Sequence, residues 1–318
     1  MQSQRAAVGI CFDRTFPAAL ATDFARRLDG KADQLWLIED CFFTAGVSLA
    51  AAALSVTEEL TVGIGILPVL ARNPAITAME IATLCGLGPG RLLPGLGHGV
   101  QSWMQQIGVR TPSPLTTMDE VFTTVTRLLA GERVTFHGRE VHLDDVALDQ
   151  PPDQPPPLLA GVRGPKSLEL AGRIAGGVIL VEPATPSYVR WAVEQAGNPE
   201  DFHVVTFSSL CVNEDRAEAR RSMTGWLAEM LDAPTVAMRQ VPFYDELQRY
   251  YADRGTDALV GIPSDWWAEL GPIGTLEDAV AHIEALEAAG VSSVAIFPPP
   301  DLDVARSQLD DVLRLATR

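Results

Sequence analysis

Eight apolar runs of strand length recur along the chain, separated by stretches with helical spacing of apolar residues, and this alternation limits the fold more than any other feature. The runs are residues 6–12, 34–40, 60–68, 91–99, 158–162, 177–181, 202–212 and 291–297. Strands that are apolar on both faces belong to a parallel sheet whose outer face is covered by helices. Eight such units predict a closed (β/α)8 TIM barrel rather than an open doubly wound sheet. At 318 residues the chain suits one such domain.

Helix signals support the count. Asn73 followed by Pro74 is an N-cap and first-turn pair, and 113–131 carries capping residues, periodic apolar positions and a glycine stop. Further helices are predicted over 17–28, 48–59, 165–175, 187–195, 214–231 and 276–289, with a last one through Leu315 after Pro298–Pro300. Two segments break the rhythm. Residues 133–147 alternate around a His-Gly-Arg turn and predict a surface hairpin insert, which leaves His137 and His142 facing solvent. Residues 234–272 gather Tyr244, Tyr250, Tyr251, Trp266 and Trp267 into an insert that serves either as a lid over the site or as packing on the barrel.

Barrels of this kind place function at the carboxyl ends of their strands. Two of those ends are glycine-rich and open helices: GLGHG at 95–99 and GVRGPKS at 161–167. Bare amides at a helix start attract anions, and the second motif adds Arg163 and Lys166. That matters in a chain with 41 acidic and 24 basic residues and a net charge of -17, whose field repels nucleic acid and anionic membrane. A phosphorylated small-molecule ligand is the expectation. Glu39 and Asp40 close the second run, and only one of two neighbours on a strand faces inward. His98 sits inside the glycine turn, where a ring nitrogen can reach a ligand.

Other chemistries find less support. The glycines form neither a dinucleotide-binding fingerprint nor a P-loop, and no histidine spacing marks a metal site. Cys11, Cys41, Cys85 and Cys211 are far apart and read as buried reduced thiols. The start of the chain goes straight into a strand, no run approaches a membrane span, and the cytoplasm is the expected compartment. A barrel hydrolase or aldolase using Glu39, Asp40 or Lys166 is compatible with these motifs alone.

Four motifs in order, LWLIED, VGIGILPVLARNPAITAMEIATL, GRLLPGLGHG and GVRGPKSLELAGRIAGGVIL, carry a resemblance to the luciferase-like monooxygenase superfamily of flavin and deazaflavin oxidoreductases. The resemblance implies a cofactor held by Gly97, His98 and Gly99 and by Gly161, Val162, Arg163, Gly164, Pro165 and Lys166. It also implies a third-strand bulge at Gly65, Ile66 and Leu67 that backs the ring, often through a cis peptide. The ARNPAIT run looks more like the branch using coenzyme F420, with FMN as the alternative. Hydride transfer to a small organic substrate follows from the first, monooxygenation from the second; a non-catalytic cofactor-binding barrel and a homodimer also fit. Many members follow the second-strand acid with histidine, whereas here Glu39, Asp40 and Cys41 stand in sequence. Asp40 thus occupies the position of the usual catalytic histidine, so Glu39, Asp40 and His98 are the candidate catalytic residues.

Overall fold

The computed structural model describes residues 5–298 and 301–318, so residues 1–4 and two prolines of the PPP run, Pro299 and Pro300, lie outside the described residues. Along the chain come β1 (Ala7–Phe12), β2 (Gln34–Leu37), β3 (Thr61–Pro68), β4 (Leu92–Gly97), β5 (Val134–His137), β6 (His142–Val146), β7 (Leu159–Gly161), β8 (Gly177–Leu180), β9 (His203–Ser209), β10 (Cys211–Val212), β11 (Ile273–Gly274) and β12 (Ser293–Phe297). Eight of them close in the order β1-β12-β9-β8-β7-β4-β3-β2, every pairing parallel. The eightfold alternation is therefore a TIM barrel.

Helices α1 (Ala21–Leu28), α2 (Gly46–Leu54), α3 (Pro74–Leu87), α4 (Gln101–Gln106), α5 (Pro114–Leu129), α6 (Pro165–Ile174) and α7 (Pro186–Gln195) follow the strands. Asn73 caps α3 by accepting from the Ala75 amide at 2.9 Å, with Pro74 at the first turn. The apolar faces of these helices meet the outward strand residues in one layer, which includes Leu35, Leu37, Val62, Ile64, Ile81 and Val125. The inward residues form a second cluster inside the barrel, with Cys11, Trp36, Leu159, Ile179, Val205 and Phe207. Trp36 fits because Gly63 stands opposite it without a side chain.

Several boundaries differ from the sequence expectation. The second strand ends at Leu37 instead of Asp40, because its partners in β1 and β3 pair with it only as far as Leu37. The run at 202–212 divides: β9 stays in the barrel, while β10 pairs with β11 in a separate two-stranded ladder. The single helix expected over 214–231 is two, α8 (Arg216–Ser222) and α9 (Thr224–Asp232), joined at Met223, where ψ opens to 0°. The helix expected over 48–59 is α2, which begins two residues earlier and stops at Leu54.

Residues 234–272 contain α10 (Tyr244–Arg254) and α11 (Ser264–Leu270) with short 3-10 turns. They pack with α9 into their own small core around Leu227, Met238, Leu247, Leu259 and Trp267. The Phe243 and Trp266 rings stack at 4.4 Å, and the Tyr251 hydroxyl donates to Asp232 at 3.0 Å. Helices α12 (Leu276–Ala288) and α13 (Leu302–Ala316) complete the ring. The buried His282 ring of α12 bonds the Ala268 carbonyl at 2.7 Å and ties the insert to the barrel.

The hairpin β5–β6 pairs antiparallel, with His137 and His142 both exposed. Its turn is fastened from below: Glu120 on α5 accepts the backbone amides of Arg139, Glu140 and Val141 at 2.7, 2.8 and 2.8 Å.

Candidate active site

The carboxyl ends of the barrel strands surround a cavity of 630 Å³, a size that suits a cofactor ring or a small organic molecule. Its apolar walls are Ile38, Ile66, Ile179, Val181, Phe207 and Phe297, and its polar groups come from Glu39, Asp40, His98, Arg163, Ser167 and Glu182. No residue of 234–272 lines it; the aromatic side chains of that insert are spent on its own core.

The third strand shapes the floor. Its register with β4 shifts between Ile64 and Leu67, and the Gly65–Ile66 peptide is cis. Bare glycines seat the Ile66 side chain: a β-carbon on Gly161 would lie 2.6 Å from Ile66 Cγ2, and one on Gly97 would lie 2.9 Å from Ile66 Cδ1 and 2.6 Å from the Gly161 carbonyl oxygen. A side chain at Gly65 would meet Phe207 Cζ at 2.6 Å. Part of what reads in sequence as anion-binding glycine is thus room for an isoleucine and for close strand approach.

Of the residues singled out from sequence, Glu39, Asp40, Gly65, Ile66, His98, Gly99, Gly161, Val162, Arg163 and Gly164 line the cavity together. Leu67 is buried in the outer core layer and Gly97 is enclosed between strands. Pro165 and Lys166 are exposed on the first turn of α6, outside the lining. Among the described residues neither Arg163 nor Lys166 joins a salt bridge, and the ion pair of α6 is Arg173 with Glu169.

The two acids of the second strand end reach the cavity already engaged. Arg72 grips Glu39 with both terminal nitrogens, the longer contact being 3.1 Å, and holds Glu80 through Nε at 3.0 Å. The second oxygen of Glu39 also accepts the Gly46 amide at 2.9 Å. Asp40 pairs with Arg14, whose guanidinium lies 4.7 Å over the Phe43 ring. Both arginines come from other loops, so spacing along the chain gave no hint of them.

His98 is mostly enclosed. Its Nε2 is 3.1 Å from Ser167 Oγ, and its Nδ1 is buried with no partner. Burial lowers the ring's pKa, so it is neutral at pH 7. Glu182, a strand end given no role from sequence, lines the same cavity and accepts from Ser209. Burial raises its pKa, partly offset by Ser209. Beneath it the enclosed Cys11 thiol is pushed well up, first by burial and then by Glu182 and Asp13. All four cysteines are free, but Cys41 and Cys211 are half-buried where burial was expected, since Cys41 sits in the loop after β2 and Cys211 on the short β10 outside the barrel.

No described helix is long and apolar enough to cross a membrane, and no group of metal-ligating side chains assembles among the described residues. The apolar walls, the orphaned His98 nitrogen and the free Arg163 suit a planar ring with an anionic extension.

The model of the luciferase-like monooxygenase family matches residues 13–293. A 5,10-methylenetetrahydromethanopterin reductase of Methanolobus tindarius is 28% identical, over 92% of this chain and 94% of the relative. An F420-dependent glucose-6-phosphate dehydrogenase of Nakamurella multipartita is 29% identical, over 61% of this chain and 60% of its own. Among solved structures, the coenzyme F420 dependent tetrahydromethanopterin reductase from Methanopyrus kandleri has the same fold, with a TM-score of 0.77 at 21% identity over 99% of this chain and 98% of that one. Closed barrel, bulged third strand and matched sequence together place this chain in the luciferase-like monooxygenase family.

Proposed function

We propose that the chain is an F420-dependent oxidoreductase acting on a small organic molecule. The observation that carries this reading is the cavity itself: an apolar slot at the barrel mouth, backed by the Gly65–Ile66 bulge and flanked by the unpaired Arg163. The relatives named as F420-dependent support the choice of cofactor. When bound, the deazaflavin supplies or accepts a hydride, and the protein supplies orientation, electrostatics and a dry site.

In this reading Ile66 supports one face of the ring, and His98 offers its open Nδ1 to a polar edge. Arg163 and the first turn of α6 hold the anionic extension by charge and helix dipole. Glu39 and Asp40, each fixed by an arginine, orient polar groups of the ring. Their ion pairs leave them poorly placed to exchange protons. Trp103 lines the cavity, and the Arg14 guanidinium lies over both its ring and that of Phe43.

FMN is the competing cofactor, and with it monooxygenation, because the same slot admits an isoalloxazine. Titration of the purified protein with F420 and with FMN, followed by absorbance, separates the two. Sub-millimolar binding of F420 and weaker binding of FMN is expected; binding of neither would overturn the reading. The exposed Ile76, Met79 and Leu87 of α3 support association into a homodimer, which light scattering on the purified protein tests. The four unpaired thiols support a cytoplasmic setting, and the charge of -17 supports the lack of a nucleic-acid partner.

A further inference from the structure

Three carboxyl groups line the cavity, and they differ in what neutralises them. Glu39 lies against Arg72 and Asp40 against Arg14. Glu182 has no cation within salt-bridge reach among the described residues, and its one side-chain partner is the Ser209 hydroxyl. The other titratable group facing it is the buried Cys11 thiol on β1, itself near Asp13. From β8 and the residue that follows it, and from β9 and β12, the cavity wall presents Ile179, Val181, Phe207 and Phe297. Burial without a neutralising cation disfavours the carboxylate form and raises the affinity of Glu182 for its proton, with the Ser209 hydroxyl offsetting part of this. Where two carboxyls of one site sit in contrasting surroundings, the unneutralised one is the candidate acid.

The cations of the cavity are also accounted for. Arg14 and Arg72 are spent on Asp40 and Glu39, and Arg163 stands at the α6 end. Among the described residues none remains beside Glu182 to receive an anionic substrate. The space there suits a neutral molecule with apolar flanks and one hydrogen-bond acceptor.

We propose that Glu182 is the proton-carrying catalytic residue of this site and that the substrate is an uncharged carbonyl compound or the alcohol derived from it. The proposal rests on the deazaflavin reading for its hydride. In the reducing direction the Glu182 O–H bond breaks and its proton goes to the carbonyl oxygen, while the hydride forms a C–H bond at the carbonyl carbon and the C=O π pair moves to oxygen. The hydride would come from a C–H bond of the bound reduced deazaflavin, which would give up two electrons to the substrate and its ring N–H proton to solvent, while the remaining carboxylate recovers one proton from solvent. In the oxidising direction Glu182 as carboxylate accepts the hydroxyl proton. Ser209 holds the carboxyl against the wall in both states.

Infrared spectroscopy of the cofactor-free protein at neutral pH tests the proton first. The carbonyl stretch of a protonated carboxylic acid is expected in the wild type, Glu39→Gln and Asp40→Asn, shifted in Ser209→Ala and absent from Glu182→Gln. No acid band, or a band that survives Glu182→Gln, overturns the proposal whatever cofactor binds. Oxidation of reduced F420 by cyclohexanone tests the transfer. The rate is expected to fall about 100-fold in Glu182→Gln, with partial recovery in Glu182→Asp and an F420 dissociation constant within about threefold of wild type. Equal rates in wild type and Glu182→Gln, zero included, also overturn it. Failure of F420 to bind while the acid band behaves as expected would instead sink the cofactor reading.

Discussion

The indole of Trp36 occupies the space in front of Gly63: the two are register partners on β2 and β3, and a β-carbon on the glycine would lie 2.3 Å from the ring. Below, the indole N–H donates to Gln34 at 2.9 Å, and Gln34 in turn donates to Ser293, which His203 also contacts. This polar line fixes the ring inside the barrel, so it has no room to yield. Gly63→Ala is therefore expected to cost about 1–3 kcal/mol through overpacking. Urea denaturation measures it, and a change under about 0.5 kcal/mol would show that the ring moves freely.

Arg72 joins three elements, since Glu39 follows β2, Glu80 lies on α3 and the arginine itself precedes α3. Arg72→Ala leaves two half-enclosed carboxylates without their cation. The expected loss is roughly 2–3 kcal/mol, less than for a fully buried ion because water reaches the pair. Adding Glu80→Gln should restore part of it by removing a like charge. If the double variant is less stable than Arg72→Ala, the repulsion argument fails.

Binding of F420 should respond to the cavity more than to the helix start outside it. Gly161→Ala drives a β-carbon toward Ile66 Cγ2, which must move into the cavity. An affinity loss of about tenfold, or 1.4 kcal/mol, is expected. Arg163→Ala should weaken binding by a similar factor, and Lys166→Ala, which is exposed outside the lining, by less. A larger loss for Lys166→Ala than for Arg163→Ala would move the anion site out of the cavity.

The hairpin β5–β6 should loosen in acid. Desolvation raises the Glu120 pKa, but three backbone amide bonds and nearby His142 outweigh it, and the group ends below the ordinary carboxylate value. A depressed folded pKa gives stability that is full above the unfolded value, about 4.3, and is lost as pH falls through the folded value. Hydrogen exchange at Arg139, Glu140 and Val141 should therefore speed up, relative to other protected amides, below about pH 4. In Glu120→Gln the same amides should be less protected at neutral pH and show little of that acid step. An acid step of equal size in both proteins would place the titrating group elsewhere.

The sequence by itself determined the barrel, because eight apolar runs alternating with helical spacing have few other ways to bury both faces of a parallel sheet. It also determined which strand ends meet. GLGHG, GVRGPK and the third-strand glycines lie at one mouth, since parallel strands put all their carboxyl ends on one side. Only the tertiary structure decided which neighbours each residue meets there. Gly97 and Gly161 make room for Ile66, and Arg14 and Arg72 claim the two acids that looked catalytic. Glu182, a strand end to which the sequence assigned no role, stands in the cavity without a cation among the described residues. Neutralisation and steric fit depend on neighbours brought from distant loops, such as Arg72 beside Glu39, and pattern along a chain does not encode those distances.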